Sequence, residues 1–275
     1  MTIVAHEQRD VILKVTGVSV TRGETRILRD LNLEIKDLYR PGFTQGQVIG
    51  LLGPTGVGKT TLFRILAGLE APDCGTVLLE KEGIPVRRGM VGVVPQHYPL
   101  FAHRTVLGNL LVAGGHLGLT RPQFLEKARG LLQRFGMEGH EKKYPPQLSG
   151  GQQQRVAIAQ QFMCSEHFLL MDEPFSGLDL IAQDNIIKFV REMAQTDELK
   201  TFIIVTHDIS AALQVADTIW ILGRDRDAQG QVVPGARLQK SIDLCDRGIA
   251  WRDDILSTPE FSELRQEIRD IFPRL

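Results

Sequence analysis

The chain has 275 residues, 43% of them hydrophobic, which allows one large or two small domains with a sizeable buried core. Its 32 Lys and Arg against 33 Asp and Glu leave a net charge of −1, which excludes a global attraction to nucleic acid or to an anionic membrane surface. Three scattered cysteines, Cys74, Cys164 and Cys245, with no C-x-x-C or His pairing of metal spacing, exclude a disulfide framework and predict a reducing compartment and core packing.

The first ten residues contain His6, Glu7, Arg9 and Asp10 without a following apolar core, so no secretory signal is expected. Residues 11–35 alternate as two strands, VILKVTGVSV and ILRDLNLEI, suited to a small antiparallel sheet. The stretch KDLYRPGFTQGQ at 36–47 reads as a long exposed loop because of its Pro and two glycines. The apolar run 48–52 then reads as a buried strand, and residues 60–67 follow with helical spacing.

Between that strand and helix lies GPTGVGKT, residues 53–60, which fits G-x-x-x-x-G-K-[ST]. Glycines allow a tight turn that aims backbone N–H groups at phosphate oxygens. A lysine at this place reaches the β- and γ-phosphates, the threonine hydroxyl ligates Mg²⁺, and the helix N-terminus favours anions. The candidate nucleotide-binding residues are Gly53, Pro54, Thr55, Gly56, Val57, Gly58, Lys59, Thr60 and Thr61, with Thr60 on the metal.

Residues 91–95 form a further apolar strand leading to Gln96, followed by the aromatic stretch HYPLF at 97–101, which suits an interface loop. Between 105 and 144 the pattern turns helical, with Val106, Leu107, Leu110 and Leu111 on one face. A second face carries Phe124, Leu125, Ala128, Leu131, Leu132 and Phe135. Arg121-Pro122 puts proline near a helix start. The uncharged stretch 105–120 is 16 residues long with four glycines, short of the roughly 20 apolar residues of a membrane span. LSGGQ at 148–152 opens a helix over 151–164, and a serine hydroxyl with glycine N–H groups at a helix start makes an anion site.

Residues 168–171 suit a central parallel strand that delivers Asp172 and Glu173 at its C-terminal end, although two acids there would also fit a solvated turn. The segment SGLD at 176–179 and a strand at 201–206 ending at His207 follow. Residues 224–237 look like a polar hairpin or loop, 238–244 like a strand, and 259–272 like an amphipathic helix through Phe261, Leu264, Ile268, Ile271 and Phe272.

Taken together, GPTGVGKT, LSGGQ and FLLMDEP resemble the nucleotide-binding subunit of the ATP-binding cassette (ABC) transporter family, over roughly residues 11–223. The resemblance implies an α/β P-loop NTPase cassette with a mixed central sheet, a small antiparallel β-subdomain and an inserted α-helical subdomain at about 97–164. A C-terminal extension would occupy 224–275. It further implies that Asp172 and Gln96 join Thr60 at Mg²⁺, that Glu173 polarises the attacking water, and that His207 contacts the γ-phosphate. By the same resemblance, Ser149, Gly150, Gly151 and Gln152 reach the ATP of a second copy, and Asp179 lies in the loop that crosses the dimer interface. Arg22 stands where the family has an aromatic residue against adenine, and a guanidinium plane also stacks on a ring. Gln160-Gln161 stand where the family has an arginine and a small residue.

The implied function is an ATP-hydrolysing motor for a separate transmembrane permease, on the cytoplasmic face of the membrane, with an external solute-binding protein and no nucleic acid. The tail resembles that of importers in the nitrate, sulfonate and taurine group, and the helical subdomain would receive the permease, or would be an ordinary helical hairpin. The alternative is a soluble ABC ATPase acting on ribosomes or DNA. Against it stand a single motif set and the lack of a heptad run between Lys59 and Asp172.

Overall fold

The computed structural model describes residues 6–39, 46–79, 83–95, 99–115, 118–165, 168–195 and 201–275. Gln96, His97 and Tyr98 lie outside the described residues, as do residues 40–45, half of the segment expected to loop out before the phosphate-binding strand; of the other half, residues 36–39 prolong the preceding strand and Gln47 opens the next one.

The strands are β1 (Glu7–Arg22), β2 (Thr25–Tyr39), β3 (Gln47–Leu52), β4 (Cys74–Leu79), β5 (Ile84–Pro85), β6 (Gly92–Val94), β7 (Phe168–Asp172), β8 (Thr201–Thr206), β9 (Thr218–Arg226) and β10 (Val232–Asp243). The helices are α1 (Lys59–Leu66), α2 (Val106–Ala113), α3 (Arg121–Arg134), α4 (Gly150–Cys164), α5 (Leu180–Gln195), α6 (Ile209–Val215) and α7 (Pro259–Ile271). All ten strands join one sheet in the order β5-β4-β1-β2-β10-β9-β3-β8-β7-β6. One end, β5-β4-β1-β2, is antiparallel. The other, β9-β3-β8-β7-β6, is parallel, and the sheet is mixed as expected.

The parallel strands are buried on both faces, so they read as continuous apolar runs. Alternate residues nonetheless feed two separate cores. Val48 and Leu52 of β3, Phe202 and Ile204 of β8 and Ile219 of β9 pack with α4–α7. Ile49 and Leu51, Ile203 and Val205, and Trp220 pack with α1 and the inner face of β1 and β2. Helix α1 is thus enclosed between the parallel strands and the antiparallel sheet, which fixes the end carrying the phosphate loop.

The inserted helices follow the predicted faces. Val106 and Leu110 of α2 and Phe124, Ala128 and Leu132 of α3 are buried, while Leu111 is exposed. Residues 224–237 take the hairpin form of the two expected: β9 runs to Arg226, the turn is short, and antiparallel β10 starts at Val232. Buried Ile242, Leu244, Phe261, Leu264 and Ile268 of the C-terminal segment join the same core as α4–α6.

Candidate functional site

The phosphate loop leaves β3 at Gly53, where a Cβ would lie 2.6 Å from the Leu222 carbonyl oxygen, so neighbouring β9 admits no larger residue. Gly58 adopts φ +116, and a Cβ there would come within 3.0 Å of Ile27. The first helical bond of α1 runs from Leu62 N–H to Gly58 O at 3.0 Å. The amides of Lys59, Thr60 and Thr61 therefore have no intrahelical acceptor and remain for an anion. Thr55, Gly56 and Thr60 are exposed, and Val57 is buried under the loop with its N–H on Pro54 O at 3.3 Å.

Lys59 is buried and donates from Nζ to the carbonyls of Gly53 at 2.7 Å and Pro54 at 3.2 Å. Burial lowers its pKa, against the raising influence of Glu173 and Asp172. At the end of β7, burial raises the pKa of Asp172, the charge of Glu173 raises it further, and Lys59 opposes. Two carboxylates and one ammonium thus share a partly dehydrated space at the C-terminal ends of β3 and β7, the place where open α/β sheets bind ligands. The donor types present, an exposed threonine hydroxyl and a carboxylate whose charge is destabilised, fit a hard divalent cation.

Glu173 is a non-glycine residue at φ +47, a conformation that needs outside support. Its N–H donates to Val205 O at 2.8 Å, and its carbonyl accepts from Ser176 N at 3.1 Å. Its Oε2 accepts from Thr206 Oγ1 at 3.1 Å and from His207 Nδ1 at 2.9 Å. Thr206 is fully buried, whereas the His207 side chain is 56% exposed, so the carboxylate is fixed from the β8 side and reaches solvent through the histidine.

Ser149 caps α4 reciprocally with Gln152: Gln152 N–H donates to Ser149 Oγ at 3.3 Å, and Ser149 N–H to Gln152 Oε1 at 3.1 Å. The box starts the helix at Gly150, one residue earlier than expected. Gly150 and Gly151 face open space, with no atom within 4 Å of a Cβ built on either. No hydrogen bond or ion pair among the described residues joins residues 149–152 to the phosphate loop or to Glu173. Asp179 Oδ1 accepts from Ala182 N at 2.8 Å, beside Leu180 and Ile181, which are 80% and 77% exposed.

Arg22 ends β1 with its guanidinium paired to Glu70, which also accepts from Arg64 Nε at 3.2 Å. Gln160 and Gln161 have uncharged roles. Gln160 Nε2 donates to Asn109 O at 3.3 Å, and Gln161 Oε1 accepts from Val93 N at 3.0 Å, tying α4 to the strand that runs towards Gln96.

Three supporting residues escaped sequence reading. Arg224 Nη2 donates to Gly56 O at 3.2 Å, bracing the phosphate loop from β9. Asp217 is 1% exposed; its Oδ2 accepts from Val48 N at 2.7 Å and its Oδ1 from Trp251 Nε1 at 2.5 Å, at the base of β3. Asn109, fully buried, accepts from Phe101 N at 2.7 Å and donates to the carbonyls of Phe101, Arg104 and Thr105. It holds the loop that includes the last residue of the aromatic stretch.

A family model described as ABC transporter matches residues 40–176. A sulfate/thiosulfate import ATP-binding protein of Bacillus cereus is 38% identical over 224 residues, 79% of this chain and 60% of its own length. One of Ralstonia nicotianae is 41% identical over 194 residues, 68% of this chain and 52% of its own. The chain thus spans about half to three fifths of the length of these curated relatives. Among solved structures, cbiO1 of Clostridium perfringens, described as part of the ABC transporter complex cbiONQ, matches with a TM-score of 0.71 and 27% identity over 94% of this chain and 100% of that one.

Proposed function

The chain carries an ABC transporter ATPase domain, and from that premise we propose that it binds and hydrolyses ATP as the motor subunit of an uptake system whose membrane-spanning permease is a separate polypeptide. The observation that carries the reading is the meeting of Lys59, Asp172, Glu173 and His207 at one end of the parallel strands.

Hydrolysis of a phosphoanhydride needs positioning and charge neutralisation more than covalent chemistry. The loop amides and Lys59 bind the β- and γ-phosphates. The lysine exchanges its bonds to the Gly53 and Pro54 carbonyls for phosphate oxygens, so it enters the site already dehydrated. Glu173, locked by Thr206, orients the attacking water, and His207, hydrogen-bonded to Glu173, contacts the γ-phosphate. Thr60, Asp172 and Gln96 would hold Mg²⁺, which neutralises charge on the phosphate oxygens. Arg22, its plane fixed by Glu70, lies against adenine.

Ser149, Gly150, Gly151 and Gln152 act on the nucleotide of a second copy. Their solvent exposure and the apolar, exposed Leu180 and Ile181 beside Asp179 support such an interface. No helix among the described residues is long and apolar enough to cross a membrane, which suits a peripheral subunit at the cytoplasmic face. The loop ordered by Asn109 is the docking place for the permease, and an external solute-binding protein completes the assembly. As cargo we assign a small oxyanion, the class shared by the sulfate and thiosulfate of the relatives and by the nitrate, sulfonate and taurine group.

The test is a Glu173→Gln variant purified from membranes with ATP. Hydrolysis drops at least about hundredfold while ATP remains bound, and a multi-span membrane protein co-purifies. Recovery of ribosomal or DNA-bound proteins without a permease would refute the transport reading.

A further inference from the structure

A cavity of about 340 Å³ lies between the loop after β8 and helix α7. His207, Asp208 and Ser210 line one wall, and Arg265, Arg269 and Phe272 the other. Arg265 and Arg269 are one helical turn apart, so both guanidiniums project from the same face of α7. Among the described residues neither forms an ion pair; Arg265 lies 5.7 Å from the Phe261 ring and Arg269 is exposed.

The acids nearby are already engaged. Asp208 accepts from Ala211 N at 2.9 Å and from Gln183 Nε2 at 2.7 Å, one bond to each carboxylate oxygen. Glu267 of α7 is tied to Lys240 at 2.6 Å and to Arg247 at 3.4 Å. Two guanidiniums without carboxylate partners, a serine hydroxyl and an imidazole therefore converge on one small space, with Phe272 as an apolar wall. Arginine pairs of this kind favour planar or tetrahedral oxyanions through bidentate bonds, and the volume is at the small end of ligand sites.

We propose that this cleft binds a small molecule bearing a tetrahedral oxyanion, and that its occupant inhibits ATP hydrolysis by drawing His207 away from Glu173. The inhibition rests on the reading of His207 as part of the hydrolytic machinery; the binding does not. His207 bridges the two sites, since its Nδ1 contacts Glu173 while the ring lines the cleft. An anion held by Arg265 and Arg269 offers the His207 ring N–H a second acceptor and competes with the Glu173 carboxylate for it.

The experiment uses the full chain and sulfate as probe, at constant ionic strength set with chloride. Calorimetry measures sulfate binding at saturating ATP, which occupies the phosphate loop, and phosphate release measures hydrolysis. Arg265→Gln/Arg269→Gln and the single Arg269→Gln variant keep basal hydrolysis, and the double variant weakens sulfate binding at least about tenfold and loses the inhibition. Sulfate binding that is abolished by ATP, or equal in wild type and both variants, overturns the proposal. Binding that depends on the arginines in a protein that hydrolyses no ATP leaves the cleft assigned and overturns only the hydrolytic reading and the inhibition built on it.

Discussion

A carboxylate at position 151 separates folding from catalysis, because the two respond with opposite sign. In the single chain Gly151 lies in the first turn of α4, and a Cβ there meets nothing within 4 Å. Gly151→Asp exchanges one weak helix former for another and places an acid at a helix N-terminus, worth about 0.3–1 kcal/mol. The fold therefore gains up to about 1 kcal/mol, a rise in Tm of about 1–4 °C for a chain of this size. Across a dimer the same carboxylate would approach the partner's γ-phosphate. Two unit charges about 4 Å apart at an effective dielectric constant of about 20 repel by about 4 kcal/mol. Even with half of that screened, hydrolysis falls on the order of thirtyfold, and without screening about a thousandfold. Thermal melts and Mg²⁺-dependent phosphate release on the same preparation read both effects. Hydrolysis within threefold of wild type, at unchanged or raised Tm, would refute the claim that residues 149–152 meet a nucleotide.

Asp217→Asn replaces a buried double acceptor with a group whose amide faces either the Val48 or the Trp251 donor. Urea unfolding should show a loss of about 2–4 kcal/mol, and a change below 0.5 kcal/mol would remove Asp217 as the anchor of β3. Gly53→Ala drives a methyl into the Leu222 carbonyl, which no rotamer change relieves. The expected cost is about 1–3 kcal/mol with at least tenfold weaker ATP binding by fluorescence titration. Asp172 has its folded-state pKa raised, so its contribution to stability is fully present below its unfolded pKa of about 3.9 and is lost as pH rises through the folded value. Asp172→Asn should therefore raise Tm in metal-free buffer at pH 7, show no gain below pH 3.8, and abolish Mg²⁺-dependent hydrolysis. A lower Tm at pH 7 would contradict the burial assigned to this carboxylate.

The phosphate loop, its flanking strand and helix, and the acid-ended β7 were legible because local pattern and chemistry agree there. An apolar run buried on both faces, a glycine turn and a helix with apolar spacing occupy adjacent residues. Helix α4 was legible to within one residue; its S-x-x-Q capping box sets the start at Gly150. The outer half of β9 and the start of β10 could be read only as a hairpin or a loop, because no apolar alternation marks them. Their ladder is held by charge instead: Arg29 and Arg237 pair with Asp225, which also accepts from Gln239 at 2.9 Å. Arg22, Gln161, Asn109 and Asp217 could be named from sequence at most as residue types. Their partners Glu70, Val93, Phe101 and Trp251 are brought to them by the fold, and nothing in the local sequence marks those pairings.

The C-terminal segment touches the candidate nucleotide site and the strand that leads to it at three places. Arg224 holds Gly56 of the phosphate loop from β9. Trp251 and Leu244 bond to Asp217, which in turn receives the Val48 N–H and donates its own N–H to the Val48 carbonyl, fixing the start of the strand that ends in that loop. Helix α7 buries Phe261, Leu264 and Ile268 in the core shared with α4–α6 while it walls the cleft beside His207. A rigid-body shift of α7 therefore moves the environment of the histidine before it disturbs β3, because the histidine side is a polar cleft and the β3 side is a packed core with buried hydrogen bonds. The compliant end of this segment lies at the loop after β8 and the stiff end at the base of β3. On the proposed ATPase reading, a ligand acting through the tail would therefore change the rate of hydrolysis more than the affinity for ATP.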